Sequence, residues 1–214
     1  MYLLHIIDDS GHFELIDSDF INLYNFDHSQ LIELTDEQYQ QFSNITSTDV
    51  AFKNGEFIAK PEQPSLAHKW DGETWVLDKV KQAELKAQQQ EQMRQAINTK
   101  RDQTDAGGVF VEALGKWVDS DEKAYQNILG VKASLDLLGD MDIPWTWADN
   151  SSSIINRTML AAIVGSLLQA KQQNHANALK HKEAMMAVDN PLDYDYSQGW
   201  SKTYADYLAE VGNE

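Results

Sequence analysis

The hydrophobic positions of this chain change their period along its length. Near the start they form short runs with strand character: Tyr2-Leu3-Leu4-His5-Ile6-Ile7, then His12 to Ile16 beyond the turn residues Asp8-Asp9-Ser10-Gly11. Leu31 to Leu34 predicts a further strand. Thr35 is placed to cap a short helix over Asp36 to Phe42, with Gln38 in the reciprocal position of a capping box. Asn54-Gly55 lies between Asp49–Phe52 and Glu56–Ala59, and predicts a tight hairpin because both central residues of such a turn need positive φ. Asp71-Gly72, between Ala67–Trp70 and Thr74–Leu77, predicts a second hairpin with a slightly longer loop.

From Lys79 to Lys100 there is no proline or glycine, and helix-forming residues dominate. The apolar stripe of this segment is thin: Val80, Ala83 and Ala87, then Met93, Ala96 and Ile97. It reads as a solvated or partner-packing helix. Beyond Gly107-Gly108, Val109-Phe110-Val111 and Lys116-Trp117-Val118 predict a small hairpin. Asp119 is expected to cap the next helix, with Glu122 completing a capping box. Tyr125, Ile128, Val131, Leu135 and Leu138 follow at helical spacing, and Gly139 is a natural stop. Ile143 to Trp147 is an extended aromatic run, followed by the turn Ala148-Asp149-Asn150. Asn156 opens the strongest helix, from Arg157 to about Ala187, with Leu160, Ile163, Val164, Leu167 and Leu168 expected on its buried face. The remainder predicts a loop and a short terminal helix.

This pattern predicts an α+β protein: a small antiparallel β head over residues 1–78, a long linking helix over 79–100, a mainly helical domain with a short β hairpin over 101–190, and a C-terminal tail over 191–214. Its 214 residues suffice for one or two domains with modest cores. The net charge of -17 argues against nucleic acid, whose binding needs a basic footprint, and against an anionic membrane surface. Absence of cysteine excludes disulfides, thiolate metal sites and cysteine catalysis. No signal peptide is expected, and Met159 to Leu168 is about half the ~20 apolar residues a membrane span requires.

No catalytic, cofactor or metal site emerges. Asp119-Ser120-Asp121 lacks the glycine and glutamate of a calcium loop. His175 and His181 are not at the spacing that shares a metal, and His175 is expected to be partly buried. Arg101, Asp102 and Asp105 precede two glycines without a phosphate-loop pattern, and read as a polar linker or a local ion pair. The tryptophans are more telling. Trp70 and Trp75 flank one hairpin, and Trp145 and Trp147 would face the same side of a strand. They suit the closing of cores short of aliphatic mass, and are also candidates for a partner-binding surface.

Ordered motifs add a resemblance. Leu34-Thr35-Asp36-Glu37-Gln38-Tyr39, then Phe52-Lys53-Asn54-Gly55-Glu56-Phe57, then the spacer Pro61-Glu62-Gln63-Pro64 and Trp70-Asp71-Gly72-Glu73-Thr74-Trp75, together resemble bacteriophage tail fibre assembly proteins. From about Ile97 to Ala187 the chain resembles a domain of unknown function often appended to phage tail and tail fibre assembly proteins. Lys100-Arg101-Asp102, Gly107-Gly108, Trp117-Val118-Asp119-Ser120-Asp121, Trp145-Thr146-Trp147-Ala148-Asp149-Asn150 and the closing helix with His175 carry that likeness. The resemblance implies a non-enzymatic chaperone that binds a trimeric tail fibre, in the host cytoplasm during assembly and in some cases on the virion tail. A structural tail or baseplate component, and a receptor-binding fibre-tip protein, are the alternatives. The long helix leaves open a homo-oligomer or a multi-chain tail assembly.

Overall fold

The computed structural model describes residues 1–42 and 49–212, and the chain divides into two compact units, Met1–Leu85 and Lys86–Glu214. The fold is α+β, with small antiparallel sheets and several helices.

In the first unit, β1 (Tyr2–Ile6) pairs with β2 (Phe13–Asp17) and with β3 (Ile32–Leu34) in a three-stranded antiparallel sheet of order β2-β1-β3. α1 (Asp36–Phe42) starts with the predicted capping box: Gln38 N–H donates to the Thr35 hydroxyl, and Thr35 N–H donates to the Gln38 side chain. Tyr39 stacks on Tyr2, which ties α1 to β1. β4 (Val50–Lys53) and β5 (Glu56–Ala59) form the Asn54-Gly55 hairpin, with positive φ at both turn residues. Leu4, Phe13, Leu34 and Val50 make the core of this unit, with Phe52 and Phe57 packed against it. Gly11 joins the two sheets, because its carbonyl accepts from Phe52 N–H and a Cβ there would lie 2.7 Å from the Phe52 carbonyl oxygen. β6 (His68–Trp70) and β7 (Trp75–Leu77) form the second hairpin.

The boundary between the units falls within α2 (Lys79–Asp105). The helix outruns its predicted end at Lys100, so Arg101, Asp102 and Asp105 are helical rather than a linker; Arg101 pairs with Asp102. β8 (Val109–Val111) pairs with β9 (Lys116–Val118) as predicted. α3 (Glu122–Leu138) is capped by Asp121, not Asp119: the Asp121 carboxylate accepts from Ala124 N–H, and Glu122 is the first helical residue rather than the third. Ser120 is drawn the other way, since its hydroxyl donates to the Asp105 carbonyl and accepts from Gly108 N–H. Gly139 ends α3 with φ +87°.

β10 (Ile143–Thr146) pairs with β11 (Ser152–Ile155), a strand that the pattern alone does not announce. Ser152-Ser153 is polar and sits directly between a turn and a helix cap. Asn156 caps α4 (Arg157–Met186) as expected, and α5 (Tyr204–Val211) closes the chain behind a capping box of Thr203 and Asp206. Leu160 and Ile163 are buried on α4, while Val164 and Leu168 are exposed, which narrows the expected apolar face. His175 is exposed as well, and His181 is the buried one, bonded to Tyr194 Oη and the Gln198 carbonyl.

The second unit has two cores that share α4. One unites Val111, Val118, Ile128, Trp147, Ile155 and Ile163 with their neighbours. The other joins Met93 and Ile97 of α2 to Ala178 and Met185 of α4, under Tyr194, Tyr196 and Trp200. Residues 86–100 and 191–212, which read as linker and tail in sequence, are thus integral to this unit. Between the cores lies fully buried Asn174, whose amide N–H₂ donates to Asp105 Oδ1 and Ser201 Oγ and whose carbonyl accepts from Ser201 N–H.

Asn174→Ala should destabilise the second unit by about 1–3 kcal/mol, because it removes a fully buried amide and leaves half-buried groups of Asp105 and Ser201 without their partner. Urea titration followed by tryptophan fluorescence checks this, and the loss should come with earlier proteolysis of the C-terminal segment. A second test concerns acid. Asp149, in the turn between β10 and β11, accepts from the Ser151 hydroxyl and from Lys116 Nζ, which hold its carboxyl down to about 2 from 3.8. A depressed carboxyl stabilises the fold above its unfolded value and loses that contribution as pH falls from 3.8 through about 2. Stability measured across this window should fall less steeply in Asp149→Asn than in the wild type.

Candidate functional site

The four tryptophans singled out by sequence separate into two environments. Trp70 and Trp75 face each other across the β6–β7 hairpin, with rings 5.5 Å apart in an edge-to-face arrangement, and both are half-buried. The turn that positions them is built by Asp71. Its carboxylate accepts from the backbone N–H groups of Thr74 and Glu73, which hold its carboxyl below the ordinary carboxylate range, and Gly72 supplies φ +106°. Trp75 Nε1 donates to the Pro61 carbonyl, and Gln63 donates to the His68 carbonyl, so the proline spacer is fastened to the hairpin. Lys60 Nζ lies 5.9 Å from the Trp70 ring centre and 6.0 Å from that of Trp75, a cation held over two aromatic rings. Burial pushes the Lys60 ammonium below its ordinary value. Trp70 Nε1 is buried without an acceptor. The result is a rigid aromatic corner with its cation already in place.

Trp145 and Trp147 are 9% and 2% exposed and belong to the larger core of the second unit. They share a side, as strand alternation requires, but that side faces inward. Trp147 Nε1 donates to the Ser153 hydroxyl across the hairpin, and Ala148 N–H donates to the Trp117 carbonyl, which ties the β10–β11 hairpin to β9. Both tryptophans are therefore packing residues in this fold, the second of the two roles their spacing allows.

The surface of the second unit carries features that the sequence pattern hides. Tyr125, Leu129, Ala133 and Leu137 recur every fourth residue on α3, and all four are exposed, Leu137 at 83%. Val164 and Leu168 of α4 join Tyr125 and Leu129 around a cleft of about 220 Å³, whose rim bears Lys132 and Lys171. A stripe with period four was detectable, but Ile128 and Leu135 of the buried face interleave with it and carry the same residue types. On another side, Gly107 and Gly108 let the C-terminal segment come close. A Cβ on Gly107 would lie 2.6 Å from Thr203 Cγ2, and Tyr204 N–H donates to the Gly107 carbonyl. This docking sets Tyr204 and Tyr207 against Trp117, with ring centres 5.7 and 5.5 Å away. Among the described residues no group of three His, Asp or Glu side chains converges as metal ligands, and no helix is long and apolar enough to cross a membrane.

The model of a family described as a domain of unknown function, DUF4376, matches residues 88–198, just over half of the chain. No curated protein and no solved structure matches. The matched span holds most of α2, both hairpins of the second unit, α3 and α4, with Trp147, Asn174 and His181, while Trp200, Ser201 and α5 lie beyond it. The chain belongs to the DUF4376 family.

Proposed function

We propose that this protein is a non-enzymatic assembly chaperone for a bacteriophage tail fibre, acting in the host cytoplasm by covering apolar or edge-strand surface of the fibre's C-terminal region until the fibre has trimerised. The observation that carries this reading is the uncovered apolar surface of a folded unit. Leu129, Val164 and Leu168 are exposed around one cleft between two adjacent helices, and Leu137 is exposed two turns further along α3, in a chain whose net charge of -17 otherwise favours solubility. Apolar surface of this kind suits a client whose own apolar surface is exposed while it assembles. In the head, the Trp70–Trp75 corner supplies a second contact candidate, a preorganised aromatic pair of the type that dominates binding energy at interfaces. The strong negative charge disfavours nucleic acid as the partner. The order of head motifs, from Leu34 to Trp75, is the basis for naming a tail fibre as the client.

Co-expression with the tail fibre of the same phage tests the reading. The fibre should be recovered soluble and trimeric, with this chain bound at an intermediate stage. Leu129→Lys combined with Leu137→Lys should abolish co-purification while shifting stability by less than about 0.5 kcal/mol, because both side chains are exposed. A fibre that trimerises equally well without this chain, and never co-purifies with it, overturns the proposal. Quantitative mass spectrometry of purified virions then separates a chaperone that departs from a component that stays.

A further inference from the structure

A cleft of about 500 Å³ opens in the second unit between the β8–β9 hairpin, α4 and the segment that enters α5. We infer that it binds a neutral saccharide, with one face of a pyranose ring against the Phe110–Trp117–Tyr207 wall and its hydroxyls bonded by Ser166, Gln169 and Gln173.

The two walls differ in chemistry. Phe110 and Tyr207 are 45% and 37% exposed, and Trp117 lies behind them, 5.5 Å from each ring centre. This wall offers ring faces to apolar C–H groups. Ser166, Gln169 and Gln173 lie on one face of α4 and line the opposite wall. Among the described residues none of the three makes a side-chain hydrogen bond, so each keeps its donors and acceptor for a ligand or water. A carboxamide gives donors and an acceptor side by side, and a hydroxyl both donates and accepts. Adjacent sugar hydroxyls match such a pair.

Charge narrows the ligand class. In a chain with 34 acidic residues, the ionic side chains at this cleft are Glu112 and Lys202. Lys202 is already paired with Glu210 and lies over the Tyr207 ring. Among the described residues that line the cleft, no free cation remains to hold a phosphate or carboxylate. A purely apolar ligand would dehydrate the glutamines without replacing their hydrogen bonds. A peptide strand is read mainly through main-chain groups along a sheet edge, whereas the polar groups facing this cleft are side chains of a helix. A neutral, hydroxyl-rich molecule with an apolar face satisfies both walls.

The site is also preorganised. The Gly107–Tyr204 backbone bond and the Thr203–Asp206 capping box fix the aromatic wall, and the Asn174–Ser201 bonds fix it to the helix that carries the glutamines. Little ordering remains to be done on binding. The volume falls within the ~300–1,000 Å³ usual for small-molecule sites.

Saturation-transfer NMR on the full chain with maltose, lactose, cellobiose and N,N′-diacetylchitobiose, each at tens of millimolar, tests this. At least one sugar should receive saturation and move the Trp117 indole resonance while leaving that of Trp70 in place. Gln169→Ala with Gln173→Ala should weaken that sugar by about tenfold or more. Alanine favours the helix at both exposed positions, so the fold should be kept. Tyr207→Ala should weaken it as well. No response to any of these sugars overturns the inference, as does binding that survives the double substitution or is matched by an unrelated extended peptide. No fibre enters the experiment, so its outcome is independent of the chaperone proposal.

Discussion

One buried amide holds the second unit together. Asn174 sits midway along α4 with no exposed surface, where an apolar residue would ordinarily be expected. Its side chain reaches the last residue of α2 on one side and the C-terminal segment on the other. A buried amide without partners would be strongly destabilising, so the geometry of these three segments is tightly specified around it. Much of the surface of this unit follows from that constraint. The end of α2 fixes Gly107-Gly108, which in turn receives Thr203 and Tyr204, and the aromatic wall of the cleft is completed only when the C-terminal segment is docked.

α4 serves two cores and solvent in turn. Leu160 and Ile163 enter the core of the hairpins and α3; Ala178 and Met185 enter the core of α2 and the C-terminal aromatics. His181 extends the second core as a polar member, stacked on Trp200 and bonded through both ring nitrogens. The buried positions of α4 keep to one face along the helix, and Val164 and Leu168 lie at the edge of that face, outside both cores, where they meet Tyr125 and Leu129 of α3.

Local chemistry carried much of the fold. Asn54-Gly55 could be read because few residue pairs accept positive φ twice, and Thr35, Asn156 and Gly139 because helix ends have their own hydrogen-bond demands. Where two local solutions compete, sequence reading falters. Asp119 and Asp121 both precede the helix at capping distance, and the choice went to Asp121 because Ser120 is engaged by Asp105 and Gly108, residues of another element. The period of apolar residues in α3 was legible, but not which of two interleaved stripes would be covered.

The sequence by itself determined the α+β class, most of the helices and hairpins, the absence of thiol chemistry and the acidic surface, because each depends on neighbouring residues or on composition. Tertiary structure alone decided that Trp145 and Trp147 face inward while Trp70 and Trp75 are half-exposed, and that the apparent tail is part of a core. It also decided that His181 rather than His175 is buried, and that residues far apart in sequence, Phe110, Gln169 and Tyr207, line one cleft. The reason is physical: the sequence states how apolar each position is, but which apolar surfaces cover one another depends on contacts between segments tens of residues apart.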